Sequence, residues 1–192
     1  MERRDLAEGI FTISGVLTAD ECRQMIALAD RRGWELATIN AFGIARVDKD
    51  TRNNDRAIVD DVDLASRLWS RVQAFIPLMQ NDRPAVGLNE RLRFYRYTPG
   101  QRFDWHFDGS YARDNGEASQ LTFMIYLNKG YKGGQTRFES VSVAGKLGMA
   151  LVFEHELLHE GAEVTAGVKY VLRSDVMYGP WAKRAAEKAG AT

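Results

Sequence analysis

The residues able to do chemistry gather in the second half of this chain. All three histidines, His106, His155 and His159, lie there. In Trp105-His-Phe-Asp108 two ligand-capable side chains stand two residues apart, so on an extended segment they point to the same side and can grip one ion together. His106 offers an imidazole nitrogen and Asp108 an anionic oxygen. One further histidine would complete the two-histidine, one-carboxylate facial triad, which leaves coordination positions open for other ligands. Alone, His-x-Asp is more often a hydrogen-bonded structural pair. A distant segment adds His155 and His159, with Leu157 between them, in an order that a jelly roll uses to bring different strands together. Both are credible third ligands, since they share one face if their segment is extended, and spacing does not separate them. Whichever is left over has a surface or supporting place as its ordinary reading.

The stretch Val168-Lys-Tyr-Val-Leu-Arg-Ser-Asp-Val-Met-Tyr178 brings charge. Strict alternation puts Val168, Tyr170, Leu172, Val176 and Tyr178 on one apolar face and Lys169, Val171, Arg173, Asp175 and Met177 on the other. On a solvated face these charges need no explanation, and Arg173 pairs naturally with Asp175. Lining a barrel, an unpaired cation would cost on the order of several kcal/mol and so demands an anionic partner. A carboxylate-bearing cosubstrate would provide one.

Holding such groups in place requires a packed scaffold, and 192 residues suit a single domain with a substantial core. Apolar residues at 45% and charged residues at 27%, with only 4 prolines, set the chain apart from disordered and fibrous proteins. Lys plus Arg and Asp plus Glu balance at 26 each, so no global field favours nucleic acid or an anionic membrane, and neither is expected as a partner. Cys22 stands alone, which excludes an internal disulfide and a multi-cysteine metal site. Any metal must use His and carboxylate ligands. The opening Met-Glu-Arg-Arg-Asp leads into no apolar run typical of a secretory signal, and no stretch is long and apolar enough to span a bilayer, so a cytoplasmic location is expected.

Thr18-Ala-Asp-Glu21 matches a capping box ahead of a helix whose apolar face holds Met25, Ile26, Leu28 and Ala29. A second helix is predicted over about 62 to 79, with Leu64, Leu68, Trp69, Val72, Phe75 and Ile76 at helical spacing and Pro77 near its end. Between them, residues 40 to 60 are polar and turn-rich and read as a long loop or irregular edge, a kind of segment that tends to be functional. From residue 91 onward, strand-like pieces follow at 92–97, 121–127, 136–139, 149–153 and 168–178. The pattern predicts an α+β fold with helices covering one face of a sandwich or barrel. Residues 1–90 read as mainly helical support with a substrate loop, and 91–180 as a jelly-roll core, within one domain over 1–192.

In order and spacing, Tyr97, His106-Phe-Asp108, Tyr126-Leu-Asn128, Gly133-Gly-Gln-Thr-Arg-Phe138, Leu158-His-Glu-Gly161 and Gly167-Val-Lys169 resemble the Fe(II)/2-oxoglutarate dioxygenase superfamily, specifically its prolyl 4-hydroxylase-like branch. The resemblance spans about 91 to 178 and implies a double-stranded β-helix with helices packed behind its major sheet. It implies a metal held by His-x-Asp and by a distal His with a basic residue ten positions later. Only His159 has Lys169 at that interval, so the resemblance selects His159 beside His106 and Asp108 and relegates His155. By the same resemblance Lys169 binds the distal carboxylate of 2-oxoglutarate, Tyr97 and Tyr126 hydrogen-bond this cosubstrate, and Thr122 shares a strand face with Tyr126. Arg173 could assist, although a structural ion pair is its more ordinary role.

The implied activity is hydroxylation of a peptidyl residue such as proline, with Fe(II), 2-oxoglutarate and O2, ascorbate as reductant, and release of succinate and carbon dioxide. Such chemistry needs no side chain beyond the metal centre as general acid or base. Alternatives are the same chemistry on a free amino acid or small metabolite, or a jelly roll that binds a metal or anion without turnover. Two departures from the family pattern stand out: Gln135 follows the double glycine where an acid is usual, and Thr98-Pro-Gly-Gln-Arg-Phe-Asp104 replaces a Gly-rich segment, which changes the wall near the metal. For gripping a substrate, Arg52-Asn-Asn-Asp-Arg56 is the main candidate, although a solvated loop is the commoner fate of such a segment. The oligomeric state has no sequence signal.

Overall fold

A computed structural model of the chain describes residues 1–41 and 44–180. Its larger sheet is antiparallel and runs, neighbour by neighbour, Glu2–Ala7, Ile10–Ser14, Ala150–Glu154, Ala118–Tyr126, Lys169–Tyr178, Arg91–Tyr97, Asp55–Asp60 and Glu35–Leu36. Arg83–Leu88 pairs with the far end of Lys169–Tyr178. A smaller sheet orders Phe103–His106, His159–Gly161, Thr136–Phe138 and Ser142–Val143.

Period-two alternation lets the large sheet serve two cores at once. Leu92, Phe94, Leu121, Phe123, Ile125, Leu172 and Val176 pack on one face with the helices. Tyr95, Tyr97, Tyr126 and Val171 point the other way, into a second core shared with Phe138 and Val143 of the smaller sheet. The two sheets thus enclose a space between them, and the expected α+β jelly roll is what the chain forms.

Helix α1 (Ala19–Arg32) starts at the capping box read from the sequence: the Thr18 side chain accepts from the Glu21 amide, and the Thr18 amide donates back to Glu21 Oε2 at 2.8 Å. Helix α2 (Val62–Val72) is capped by Asp61 and buries Leu64, Ala65, Leu68 and Val72 against the large sheet. It is shorter than its periodicity suggests. A single 3-10 turn, Gln73–Phe75, follows it, and Ile76 is already extended at φ −85°, ψ 141°. The Pro77 ring disfavours helical backbone on the residue before it, so the turn unwinds ahead of the proline.

Residues 55–60 are not loop. Asp55–Asp60 pairs residue by residue with positions 91 to 96 of Arg91–Tyr97, and its charged ends conceal a strand whose Ala57 is buried in the core. The strands Glu2–Ala7 and Ile10–Ser14 precede α1, so the first ninety residues build part of the large sheet as well as its helical cover. Because Phe123 is fully buried between sheet and helices, Phe123→Ala lowers unfolding stability by about 3–5 kcal/mol in urea denaturation. Thr18→Ala, which removes only the helix cap, costs about 1 kcal/mol.

Candidate metal centre

One antiparallel pairing closes the long sequence gap between the histidines. His106 ends the strand Phe103–His106, His159 opens the strand His159–Gly161, and the two are direct cross-strand partners. Asp108 follows two residues later, and the ligand atoms of His106, Asp108 and His159 all lie within 4.8 Å of one another. His106 Nε2 is 3.7 Å from Asp108 Oδ1, and His159 Nε2 is 3.6 Å from Asp108 Oδ2.

The other ring nitrogens face backbone carbonyls: His106 Nδ1 lies 2.7 Å from the Asp104 oxygen and His159 Nδ1 2.9 Å from that of Leu157. A carbonyl only accepts, so each Nδ1 carries a proton and each Nε2 is the nitrogen that faces Asp108. Phe103 stacks on the His106 ring at 3.5 Å, and Phe153 meets His159 edge-on at 4.5 Å. Burial pushes His159 down to about 4, so it is neutral at physiological pH. Burial would raise the Asp108 carboxyl, but the group is held well below the usual carboxylate range, with Arg173 the largest opposing influence. Two imidazole nitrogens and one carboxylate converging on a single point suit a divalent cation with open positions.

Asp108 is itself held. Its Oδ2 accepts from Thr122 Oγ1 at 2.5 Å and pairs with Arg173 Nη2 at 3.2 Å. Arg173 also reaches Asp175 Oδ1 at 3.2 Å, as its place on the same strand face anticipated. His155 lies behind this group: Nδ1 is 3.0 Å from Thr122 Oγ1 and Nε2 is 3.0 Å from Ser119 Oγ. With both nitrogens engaged, the ring bears on Asp108 through Thr122 and is buried, not on the surface. Thr122, expected beside a cosubstrate, has its hydroxyl on Asp108 and His155.

Lys169 is only 2% exposed, so a solvated face does not describe it. It lies opposite Tyr97 in the sheet register. Its Nζ donates to the Gly134 carbonyl at 2.7 Å and sits 5.1 Å from the Tyr97 ring and 5.6 Å from the Tyr126 ring. No carboxylate pairs with it among the described residues, and burial pushes the amine down to about 7. Gly134 has φ +66°, and a Cβ there would come within 3.1 Å of Lys169 Cδ, so glycine permits this close approach. The Tyr126 hydroxyl is engaged 2.8 Å from Thr136 Oγ1.

An inner cavity of about 40 Å³ extends from Lys169 and Thr136 to the three ligand residues. A wider cleft of about 660 Å³ lies on the outer side and shares Tyr95, Phe103, His106, Asp108 and Arg173 with it. Sequence reasoning passed over Tyr95 and Phe103. Tyr95 was within reach, because it has the same strand parity as Tyr97; Phe103 carries no pattern that marks a ring stacked on a ligand.

Residues 92–174 match the model of the 2OG-Fe(II) oxygenase superfamily. Among solved structures, a viral collagen prolyl hydroxylase from Paramecium bursaria Chlorella virus-1, in its 2OG complex, is 22% identical with a TM-score of 0.65, covering 88% of this chain and 96% of that one. A Pseudomonas putida prolyl-4-hydroxylase is 21% identical with a TM-score of 0.61 over 88% and 92%. A Trichoplax adhaerens prolyl hydroxylase, in complex with a hypoxia inducible factor oxygen degradation domain peptide fragment, is 18% identical with a TM-score of 0.67 over 92% and 86%. At these identities the likeness is one of fold. No curated protein matches the chain. No helix among the described residues is long and apolar enough to cross a membrane.

Proposed function

We propose that this chain, whose residues 92–174 match the 2OG-Fe(II) oxygenase superfamily model and whose fold is that of solved prolyl hydroxylases, is such an oxygenase and hydroxylates a peptidyl residue, such as proline, with His106, Asp108 and His159 holding the iron. The observation that carries this reading is the convergence of those three side chains on one cavity with a buried lysine that has no carboxylate partner among the described residues. Bound Fe(II), with 2-oxoglutarate and O2, supplies oxidative decarboxylation to succinate and carbon dioxide and places one oxygen atom in an unactivated C–H bond.

The chain's own residues do the positioning. The two Nδ1–H···O=C bonds fix the histidine tautomers, and Thr122 with Arg173 fixes Asp108, so the donor set is preorganised. Lys169, which lines the inner cavity with Tyr97, takes the distal carboxylate of 2-oxoglutarate, and the Tyr126 ring lies 5.6 Å from its amine. Phe103 and Phe153 keep water from the histidine rings. A peptide substrate is supported by exposed Trp105, Phe107 and Tyr111 on the segment that carries the ligands, since exposed aromatic side chains are favoured at recognition surfaces. One sheet takes strands from Glu2–Ala7 through Lys169–Tyr178, which supports treating residues 1–192 as one domain.

With Fe(II), ascorbate and 2-oxoglutarate but no substrate, the protein is expected to release succinate slowly. A screen of proline-containing peptides is then expected to accelerate release and give a product heavier by one oxygen atom in mass spectrometry. Absence of both succinate release and iron binding overturns the reading.

A further inference from the structure

We infer that the substrate carries a carboxylate, and that Arg52 in the outer cleft is its anchor. This rests on the oxygenase reading above and names the chemistry of the second ligand. Four arginines line the outer cleft, Arg52, Arg56, Arg93 and Arg173, against a single carboxylate, Asp108. Three of the four have ion pairs: Arg56 with Glu35 at 2.8 Å, Arg93 with Asp175 at 3.1 Å, and Arg173 with Asp108. Arg52 has none among the described residues.

Yet Arg52 is 95% buried, being only 5% exposed. Its guanidinium lies 4.3 Å from the Tyr95 ring centroid and 4.2 Å from that of Phe103, and its Nε donates to Asn54 Oδ1 at 2.8 Å. Its Nη2 is buried with no hydrogen-bond partner. Neutral partners and two aromatic faces offset only part of the desolvation of a guanidinium, and an unmatched donor adds to the deficit. A guanidinium buried without a counter-charge is the arrangement by which a protein binds an anion.

That anion is not the cosubstrate. Lys169 lines the inner cavity and is absent from the outer cleft, whereas Arg52 lines the outer cleft and is absent from the inner cavity. The two cations therefore line different cavities, which share His106 and Asp108, and address different ligands. Phe103, which packs against Arg52, also stacks on His106, so a carboxylate held by Arg52 would place its neighbouring carbons close to the reacting centre. The carboxylate can come from an acidic residue of a peptide or from a free acid, and both present the same planar fork to the guanidinium.

Two matched pairs of ligands separate these sources: acetyl-proline against its amide, and acetyl-Pro-Glu-amide against acetyl-Pro-Gln-amide. Their dissociation constants are measured under nitrogen by tryptophan fluorescence, on protein loaded with Fe(II) and 2-oxoglutarate. At least one acid is expected to bind roughly tenfold or more tightly than its neutral twin, and the winning pair identifies the source. Arg52→Gln is expected to erase this preference while leaving 2-oxoglutarate affinity unchanged, and Arg52→Lys to restore part of it. Equal binding of acid and amide by the wild type, no binding of either acid, or a preference that survives Arg52→Gln overturns the inference. A fall in 2-oxoglutarate affinity in Arg52→Gln also overturns it, by giving Arg52 to the cosubstrate. Failure of the wild type to bind 2-oxoglutarate at all is a different result and strikes the oxygenase reading itself. The wild-type comparison decides the matter even if Arg52→Gln does not fold.

Discussion

Asp108→Ala is expected to abolish divalent-metal binding and all 2-oxoglutarate turnover with it. Of the three converging ligands it is the only carboxylate, and Arg173 does most to keep it ionised against its burial. Without it two imidazoles remain, beside the positive charge of Arg173. Altering groups that merely support metal ligands typically lowers metal affinity about 10–100-fold, so removing the charged ligand itself exceeds about a hundredfold. Thermal unfolding with Mn(II) or Co(II) reads this without turnover. At a hundred times its Kd the metal adds about 2.7 kcal/mol to the wild type, several degrees in Tm, and adds nothing to the variant. Asp108→Ala also strips Arg173 of one carboxylate, so the metal-free Tm falls too; Asp108→Asn keeps the shape, and its lost metal response separates ligation from folding. In the same assay His159→Ala loses the metal response, whereas His155→Ala keeps it, weakened by no more than about 10–100-fold through Thr122. The reverse ranking hands the third ligand position to His155.

That contrast also marks where the sequence stops being informative. Alternation in Val168–Tyr178 was enough to put Lys169 and Arg173 on one face, because a strand's side-chain period is fixed by its backbone. Whether that face meets water or an enclosed space depends on a second sheet, whose strands are two to four residues long and carry no periodic signal. His155 and His159 are equivalent on spacing alone. They become different only because His159 pairs with His106 across the small sheet, while His155 sits in the turn after Ala150–Glu154 with both nitrogens engaged. Asp55–Asp60 hid among charges for a related reason: five of its six side chains are only partly buried or exposed, so backbone pairing with Arg91–Tyr97 defines the strand more than an apolar pattern does. Arg52 is the extreme case. Nothing local distinguishes it from a solvated loop arginine, and only the Tyr95 and Phe103 rings, from two other strands, make it a buried one.

For Lys169→Ala, retention of the metal with roughly a hundredfold weaker binding of 2-oxoglutarate is the expected outcome, since a charge-assisted contact from a buried amine lining the inner cavity is lost. The pH dependence tests the same assignment from another direction. Burial lowers this amine from an ordinary 10.5 to about 7, so in the empty protein it is largely neutral above pH 7. A carboxylate needs the ammonium, and binding above pH 7 must therefore draw in a proton. Apparent affinity for 2-oxoglutarate then falls about tenfold for each pH unit above 7. Stability runs the opposite way. Between about pH 7 and 10.5 the unfolded chain holds a proton on this amine that the folded chain does not, so the metal-free, ligand-free protein gains stability from this group as pH rises through that window. Lys169→Arg keeps a permanent cation and is expected to flatten the affinity profile while retaining measurable binding. Calorimetric titration of 2-oxoglutarate into Mn(II)-loaded protein from pH 6.5 to 8.5, on wild type and both variants, resolves the slopes; a wild-type affinity that is flat across that range assigns the distal carboxylate to a different residue.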